Sequence, residues 1–297
     1  MKTTTLPPKP KIRPPSGPRY LKIKELLSHL SLATVCQEAR CPNMGECWGG
    51  GTATIMIMGD VCTRGCRFCS VKTGNPKGVL DQQEPYKVAH AVSVMGLDYV
   101  VLTSVDRDDL EDQGAGHFAK TVKEIKKLSS KILVEVLTPD FKGETVLIDK
   151  VIEAAPDVFA HNVETVEALQ KEVRDPRAGY EQSLFVLEYV KKQNPQIYTK
   201  TSLMLGLGET NDQIFQCLKD LRQVGCDILT FGQYLQPAKH KLKVKKYLSS
   251  EEFSFWKAAA EELGFLYVAS GPLVRSSYRA GELFVKGLKK GEHISWD

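Results

Sequence analysis

Six of the eight cysteines fall in one short stretch and form two groups of three. The first group is Cys36, Cys41 and Cys47, and the second is Cys62, Cys66 and Cys69. Cysteines at this density usually bind metal or form disulfides. A structural zinc site and a cubane iron–sulfur cluster each take four ligands. Each group of three therefore leaves one coordination position for another ligand, and an open position is where chemistry can occur.

The composition indicates a globular protein. The 297 residues include 42% hydrophobic and 26% charged residues, enough for one barrel-sized domain or two smaller ones. No apolar run approaches the roughly 18 residues that a membrane span needs, so no membrane partner is expected. The net charge of +4 is too small to indicate a nucleic-acid partner, although it is compatible with an acidic protein partner.

The first 24 residues contain no acid and many prolines. They lack the apolar core of a secretory signal, so an oxidising compartment and disulfides are not expected. The prolines also exclude the amphipathic helix of a transit peptide. We therefore predict a basic, Pro-rich arm over residues 1–19 of a bacterial cytoplasmic protein, with an organellar matrix as the alternative.

Strand and helix patterns alternate along most of the chain. The first cysteine group is predicted to be a loop, because Pro42, Gly45 and Gly49–Gly51 interrupt regular structure. The alternation predicts an α/β fold, a partial parallel (βα)6 barrel of the TIM type whose site lies at the carboxyl ends of the strands. Predicted strands cover 52–58, 98–103, 132–137, 158–162, 198–205 and 227–231, and predicted helices cover 20–32, 86–95, 117–128, 144–154, 165–171, 181–192 and 212–224.

The second cysteine group follows the first predicted strand. Three thiolates could hold three irons of a 4Fe–4S cluster and leave the fourth iron free, with a zinc knuckle or unrelated cysteines as alternatives. The C-x3-C-x2-C spacing, with Phe68 before the last cysteine, resembles the signature of the radical S-adenosylmethionine enzymes. The resemblance implies that S-adenosylmethionine binds the free iron and that an electron from the cluster cleaves it to a 5'-deoxyadenosyl radical.

Both cysteine groups together resemble the lipoyl synthase family. The resemblance covers about residues 20–285 and includes the segments 106–109, 112–116, 135–137, 161–165, 204–210, 232–237 and 271–278. It implies insertion of two sulfur atoms at carbons 6 and 8 of an octanoyl group on a carrier-protein lysine, with two S-adenosylmethionines spent. It also implies that a sacrificial auxiliary 4Fe–4S cluster is the sulfur donor. Its ligands would be Cys36, Cys41, Cys47 and Ser277, with Ser276 as the alternative to Ser277.

The same resemblance implies the cofactor contacts. Thr103 and Ser104 stand where many members of the superfamily have a Gly-Gly-Glu run, and Phe68 belongs to the cluster motif. Asn162 and Glu164 follow the fourth predicted strand, where they would hold the cofactor ribose and carboxylate. A helix N-terminal cap is their alternative role.

Four regions follow from these expectations. They are the arm 1–19, an N-terminal extension 20–51 with the auxiliary cysteines, a radical S-adenosylmethionine barrel 52–240, and a C-terminal extension 241–297 with the Arg-Ser-Ser-Tyr motif. Closure of the first triad by Ser277 predicts that the two ends of the chain meet over the barrel mouth.

Partners are also implied by the resemblance. They are an octanoylated carrier domain, such as 2-oxoacid dehydrogenase E2 or glycine cleavage H protein, and a low-potential electron donor, ferredoxin or flavodoxin. The lysine-rich run 239–246 is either a solvated surface or a docking surface for the carrier.

Two other functions fit the sequence less well. A methylthiotransferase would normally carry an added RNA-binding module, for which this chain has no room. An iron–sulfur electron carrier binds each cluster with four cysteines and needs no barrel of this size.

Overall fold

The computed structural model describes residues 17–38, 41, 43–49 and 53–277, and one eight-stranded sheet dominates them. The sheet order is β1-β2-β5-β6-β7-β8-β9-β10. Strand β1 is antiparallel to β2, and every later neighbouring pair in the sheet is parallel. A second, two-stranded sheet pairs β3 with β4. The strands are β1 (Ala33–Thr34), β2 (Thr54–Ile57), β3 (Val61–Cys62), β4 (Lys72–Thr73), β5 (Tyr99–Ser104), β6 (Leu133–Leu137), β7 (Val158–Ala160), β8 (Tyr198–Leu205), β9 (Ile228–Gln233) and β10 (Tyr267–Gly271).

Helices connect the parallel strands. Within the described ranges, six strand–helix units (β2–α4, β5–α5, β6–α6, β7–α8, β8–α9 and β9–α10) precede the last strand, β10, and the sheet does not close. The predicted partial parallel barrel is confirmed, whereas β10 and its preceding helix were not predicted. The helices are α1 (Pro18–His29), α2 (Val35–Glu38), α3 (Met44–Gly49), α4 (Glu84–Met95), α5 (Ala115–Leu128), α6 (Thr145–Ile152), α7 (Gln170–Val173), α8 (Tyr180–Gln193), α9 (Asn211–Gln223) and α10 (Ser250–Glu262).

The barrel interior is filled below its mouth. Alternate strand residues face opposite sides, so Tyr99 and Val101 pack in one apolar cluster while Val100 and Leu102 pack in another. Above Tyr99, the buried Lys200 ammonium pairs with Glu135 at 2.7 Å, and the Tyr99 hydroxyl donates to the same carboxylate at 2.5 Å. These contacts fill the interior toward the amino ends of β5 and β6.

The first cysteine group is predicted to be a loop, and this prediction holds for Cys41 but is wrong for Cys36 and Cys47. Cys36 lies in α2 and Cys47 in α3. The reason is tertiary packing, which overrides weak local helix propensity. Trp48 is fully buried and stacks on Tyr20 with ring centroids 5.2 Å apart.

Some predicted features lie outside the described residues. They include positions 1–16 of the basic arm, Tyr278 and the chain after it. The helix predicted over 165–171 is a 3-10 turn, Glu167–Leu169, that continues into α7. Among the described helices, none has the length and apolar character required to cross a bilayer.

Candidate active site

The loop formed by residues 62–69 presents the second cysteine triad at the barrel mouth. Backbone N–H groups point at its sulfur atoms. The amides of Arg64 and Asp106 donate to Cys62 Sγ at 3.4 and 3.3 Å, and the amide of Asp175 donates to Cys66 Sγ at 3.4 Å. Hydrogen bonds of this kind stabilise thiolates and tune the reduction potential of iron–sulfur clusters.

The three thiols of this loop all have raised pKa values. Burial raises the pKa of Cys62 to about 12, and the nearby Asp106 adds to the effect. Burial also raises the pKa of Cys66 to about 11, although the Asp175 amide opposes it. The pKa of Cys69 is raised by burial as well. Because a bound cation converts a buried thiol to thiolate, this donor set fits a metal centre whose binding releases protons.

Among the described residues, no three His, Cys, Asp or Glu side chains come close enough together to hold one metal ion. A cubane cluster binds each thiolate through a different iron, so its ligands stand further apart than those of one ion. All eight cysteines are free, so none is held in a disulfide.

The first triad is more deeply buried than the second. Cys36 and Cys47 are buried, and Cys41 is partly exposed. Burial raises the pKa of Cys36 to about 11, the neighbouring Cys41 adds to this, and the adjacent Trp48 indole opposes it. Burial likewise raises the pKa of Cys41, and the guanidinium of Arg275 opposes the shift.

The two triads and the C-terminal segment lie together. The Ser70 hydroxyl, one residue after Cys69, donates to the carbonyl of Glu38 at 3.1 Å. The Asn43 side chain donates to the carbonyl of Leu273 at 2.6 Å. This bond joins the first cysteine segment to the C-terminal segment, while the two chain ends lie outside the described residues and their meeting over the barrel mouth stays a prediction.

Ser276 and Ser277 are partly exposed at the end of the described chain. Ser277 stands four residues after Leu273, and four extended residues span at most about 14 Å. It is therefore tethered near the first triad through the bond between Asn43 and Leu273.

Thr103 and Ser104 occupy different sides of β5. Thr103 is buried on the interior side, where its hydroxyl donates to the Leu137 carbonyl at 3.1 Å. Ser104 follows the alternation of Val100 and Leu102 toward the helices, and its buried hydroxyl has no partner among the described residues. The geometry thus favours the Thr103 side chain over that of Ser104 for a cofactor contact.

Asn162 and Glu164 are joined at the mouth. Asn162 Nδ2 donates to Glu164 Oε1 at 3.0 Å. Neither side chain caps a helix in the described chain, since the next 3-10 turn begins after Val166. Glu164 has a φ of 69°, and strain of this kind in a non-glycine residue is concentrated at functional sites. Burial raises the pKa of this carboxyl, with Arg174 and Asn162 opposing the shift.

His161 does not behave as a ligand. Its Nδ1 lies 3.0 Å from the Thr138 carbonyl and its Nε2 lies 3.0 Å from the Ser183 hydroxyl, so both ring nitrogens are engaged. Burial, aided by Arg174, lowers the pKa of His161 to about 4. The imidazole is therefore neutral and structural at physiological pH.

The lysine-rich run lies over the 62–69 loop. We call residues 238–248 the mouth strap; it has neither helix nor strand in the structure. The amide of Leu242 donates to the Arg67 carbonyl at 3.3 Å, and the Lys241 ammonium donates to the Cys66 carbonyl at 3.4 Å. Leu242 and Phe68 both pack against the apolar cluster of Val173, Leu207 and Tyr234.

The other lysines of the strap face outward. Lys239, Lys243 and Lys245 are exposed, and Lys246 pairs with Glu252. No ion pair involves the first three lysines among the described residues.

Several residues of the site were missed by sequence reasoning. Arg64 lies between two cysteines and is buried against Asp108 and Asp140, while Asp175 binds the amide of Gly65. The acidic segment after the second predicted strand was the one sequence signal for this network. Arg64 could not be identified as its partner without the fold.

Two family models match the chain. The radical SAM superfamily model matches residues 56–221, and the model for the N-terminal domain of lipoyl synthase matches residues 1–41. The superfamily match covers most of the barrel and includes the second cysteine triad.

Curated relatives are similar over nearly the whole chain. A lipoyl synthase of Halobacterium salinarum is 60% identical over 290 residues, which cover 96% of this chain and 93% of the relative. A mitochondrial lipoyl synthase of Danio rerio is 59% identical over 288 residues, covering 95% of this chain and 72% of the relative. The human mitochondrial lipoyl synthase is 58% identical, with 95% and 77% covered.

Solved structures share the fold at low identity. Methylornithine synthase aligns with a TM-score of 0.55 and 14% identity, covering 92% of this chain and 94% of that chain. The hydrogenase maturase HydG from Carboxydothermus hydrogenoformans aligns with a TM-score of 0.53 and 13% identity, covering 92% and 79%. These likenesses support the partial-barrel architecture.

Proposed function

Because this chain belongs to the lipoyl synthase family of the radical S-adenosylmethionine superfamily, we propose that it inserts sulfur at carbons 6 and 8 of a protein-bound N6-octanoyl-lysine. The observation that carries the proposal is the contact between the two cysteine segments: the Ser70 hydroxyl, beside Cys69, donates to the carbonyl of Glu38, which lies between Cys36 and Cys41. A radical generator and a sulfur source must both reach one acyl chain, so their sites must be neighbours.

Cys62, Cys66 and Cys69 would hold the cluster that binds S-adenosylmethionine. When bound, this pair supplies the 5'-deoxyadenosyl radical, which can take hydrogen from an unactivated C–H bond that no protein base can deprotonate. Each insertion would replace one C–H bond by one C–S bond and would use one electron from the electron donor to convert one S-adenosylmethionine to methionine and 5'-deoxyadenosine. The electron released when carbon bonds to sulfide would be taken up by the iron of the sulfur donor. The chain contributes the amide donors to the sulfurs and the barrel that excludes water from the lower interior.

Cys36, Cys41, Cys47 and Ser277 would hold the auxiliary 4Fe–4S cluster, which would supply the two sulfur atoms. Oxygen is a harder ligand than thiolate and binds cluster iron less strongly, so a serine ligand suits a cluster that is dismantled. The tethering of the C-terminal segment by Asn43 supports this ligand set. Ser276 is the alternative ligand.

Asn162, Glu164 and Thr103 are proposed to contact S-adenosylmethionine, with Phe68 beside it. Their support is their place at the mouth, the strained backbone of Glu164 and the Asn162–Glu164 hydrogen bond. A Ser104 contact stays a prediction, with the backbone as the more accessible part of that residue.

The proposed partner is an octanoylated carrier domain, such as 2-oxoacid dehydrogenase E2 or glycine cleavage H protein. The exposed lysines of the mouth strap support an acidic docking face on that partner. Ferredoxin or flavodoxin is the proposed electron donor.

The regions 1–19, 20–51, 52–240 and 241–297 remain our proposed division of the chain. The cytoplasmic assignment also stays a prediction, since the relatives include mitochondrial and archaeal lipoyl synthases.

The test is anaerobic turnover. Protein reconstituted with iron and sulfide should hold about eight irons per chain, corresponding to two 4Fe–4S clusters. With S-adenosylmethionine, reductant and an octanoylated carrier peptide, it should yield a dithiolated peptide. About four irons, or 5'-deoxyadenosine without sulfur transfer, would contradict the proposal.

A further inference from the structure

All three residues between Cys62 and Cys66 are tied to carboxylates. The Thr63 hydroxyl donates to Asp108 at 2.7 Å, and the Gly65 amide donates to Asp175 at 2.7 Å. The intervening Arg64 is bound even more extensively. The three residues that separate the first two ligands therefore each fix the loop to another part of the fold.

Arg64 makes two paired interactions from a buried position. Its Nε and Nη2 donate to Asp108 at 3.1 and 3.0 Å, and its Nη1 and Nη2 donate to Asp140 at 2.6 and 2.8 Å. Asp106 lies 3.5 Å away as a third carboxylate. Paired, charge-assisted hydrogen bonds from a planar guanidinium fix orientation as well as distance, and a lysine cannot reproduce them.

The two main acceptors come from separate elements. Asp108 follows β5 and Asp140 follows β6, so Arg64 spans the ends of two neighbouring strands of the rigid sheet. Asp140 is 1% exposed, and its side chain touches the 62–69 loop only through Arg64 among the described contacts. Every donor and acceptor in this network is a protein group.

We propose that Arg64 is a positioning residue that holds the 62–69 loop in its ligating shape before iron binds. The inference rests on the proposed function only in taking Cys62, Cys66 and Cys69 as cluster ligands. The arrangement lets the loop accept a cluster without paying ordering entropy at the moment of binding. It also keeps this loop fixed to the sheet while the first triad, built from other segments, loses and regains its cluster.

Amide hydrogen exchange of the metal-free full-length chain tests the proposal. Five loop amides, those of residues 63, 64, 65, 67 and 69, have hydrogen-bond acceptors in the structure. They should be protected in the wild type, and Arg64→Lys should raise their exchange rates at least tenfold. Amides of α8 should exchange as in the wild type, which separates a local effect from global unfolding.

Two further variants complete the design. Asp140→Asn weakens the Arg64–Asp140 interaction by changing the acceptor that follows β6. If Arg64→Lys does not fold, the exchange rates of Asp140→Asn test the proposal instead. Arg222→Lys is the matched control, because it makes the same substitution in α9, where Arg222 donates to the Cys226 carbonyl and has no described contact with the 62–69 loop. This control should leave the protection unchanged.

A spectroscopic measurement tests the consequence for the cluster. In reconstituted protein, Arg64→Lys should lower the occupancy of the second-triad cluster and weaken the change in its electron paramagnetic resonance signal on addition of S-adenosylmethionine. The Arg222→Lys control should match the wild type in both respects. The proposal is overturned if the metal-free wild-type loop exchanges like an unfolded chain, or if the Arg64→Lys and Asp140→Asn variants behave like the wild type. Because the exchange experiment contains no iron or substrate, its outcome is independent of the proposed reaction.

Discussion

Asn43 Nδ2 donates a 2.6 Å hydrogen bond to the carbonyl oxygen of Leu273, a residue 230 positions later in the chain. Asn43 follows β1 at one edge of the open sheet, and Leu273 follows β10 at the other edge. The bond therefore joins the segment that follows one edge strand of the sheet to the segment that follows the other edge strand. It also brings the first cysteine triad close to the segment that contains Ser277.

Asn43→Ala should prevent the protein from retaining its auxiliary cluster. Without the donor, the C-terminal segment loses its tie to the first cysteine segment, so the proposed serine ligand is no longer held in place. Iron content should fall from about eight to about four per chain, and the second-triad cluster should keep its spectrum. Asn194→Ala, at the end of α8, is the control and should keep both clusters. Full iron content in Asn43→Ala would count against the role of this contact.

Gly232→Ala should have the same consequence through sterics. A methyl group on Gly232 would overlap the carbonyl oxygen of Val274, so the C-terminal segment would have to move away from the barrel. Gly271→Ala is the matched control, because Gly271 pairs with Gly232 in the sheet and its methyl group would meet only the Val274 side chain, at 3.4 Å. We expect auxiliary-cluster loss in the first variant only, measured by iron count. Equal iron in both variants would refute the steric argument.

Charge reversal on the mouth strap should weaken carrier binding. Lys243→Glu with Lys245→Glu should raise the Kd for an octanoylated carrier domain by about tenfold or more and flatten its salt dependence. The paired control, Lys123→Glu with Lys127→Glu, changes the same charge on the outer helix α5. Binding isotherms at several salt concentrations give the comparison. Unaltered affinity and salt dependence in the strap variant would show that the carrier docks elsewhere.

His161 should make the metal-free protein less stable in mild acid. Its folded-state pKa of about 4 lies below the ordinary value of 6.5. Between these two pH values the unfolded chain therefore binds a proton that the folded chain does not bind. Above pH 6.5 the imidazole does not lower the free energy of unfolding. As the pH is lowered from 6.5 toward 4, the free energy of unfolding falls by about 3 kcal/mol in total. Urea unfolding across this pH range should show a shallower decline for His161→Asn than for the wild type. His29→Asn, on the exposed end of α1, should keep the wild-type slope; a wild-type slope in His161→Asn would exclude this assignment.

The barrel was predictable because its strands carry their own signals. Tyr198–Leu205 was predicted with its observed ends, and the other five predicted strands differ from the observed ones by only a few residues. Continuous runs of apolar residues predict buried parallel strands, and apolar residues repeated at helical spacing predict the amphipathic helices between them. The strand Tyr267–Gly271 was missed because Ala269, Ser270 and Gly271 are small and weakly patterned, and because it gains its place by pairing with β9.

The site was predictable only where its residue types are unusual. Six clustered cysteines indicate metal in any fold, but nothing local marks Arg64 as the partner of Asp140, 76 residues away. The helix around Cys47 was missed for a related reason, since burial of Trp48 outweighs the two glycines that predicted a loop. Long-range contacts of this kind depend on the sheet that brings the segments together.

Sulfur tracing in a single turnover tests the central claim most directly. Both clusters are reconstituted with heavy-isotope sulfide, free sulfide is removed, and the protein reacts once with octanoylated peptide in buffer containing sulfide of natural abundance. The account predicts heavy sulfur at both carbon 6 and carbon 8 in the wild type, with no dithiolated product from Ser277→Ala. Product sulfur with the isotope composition of the buffer would contradict it.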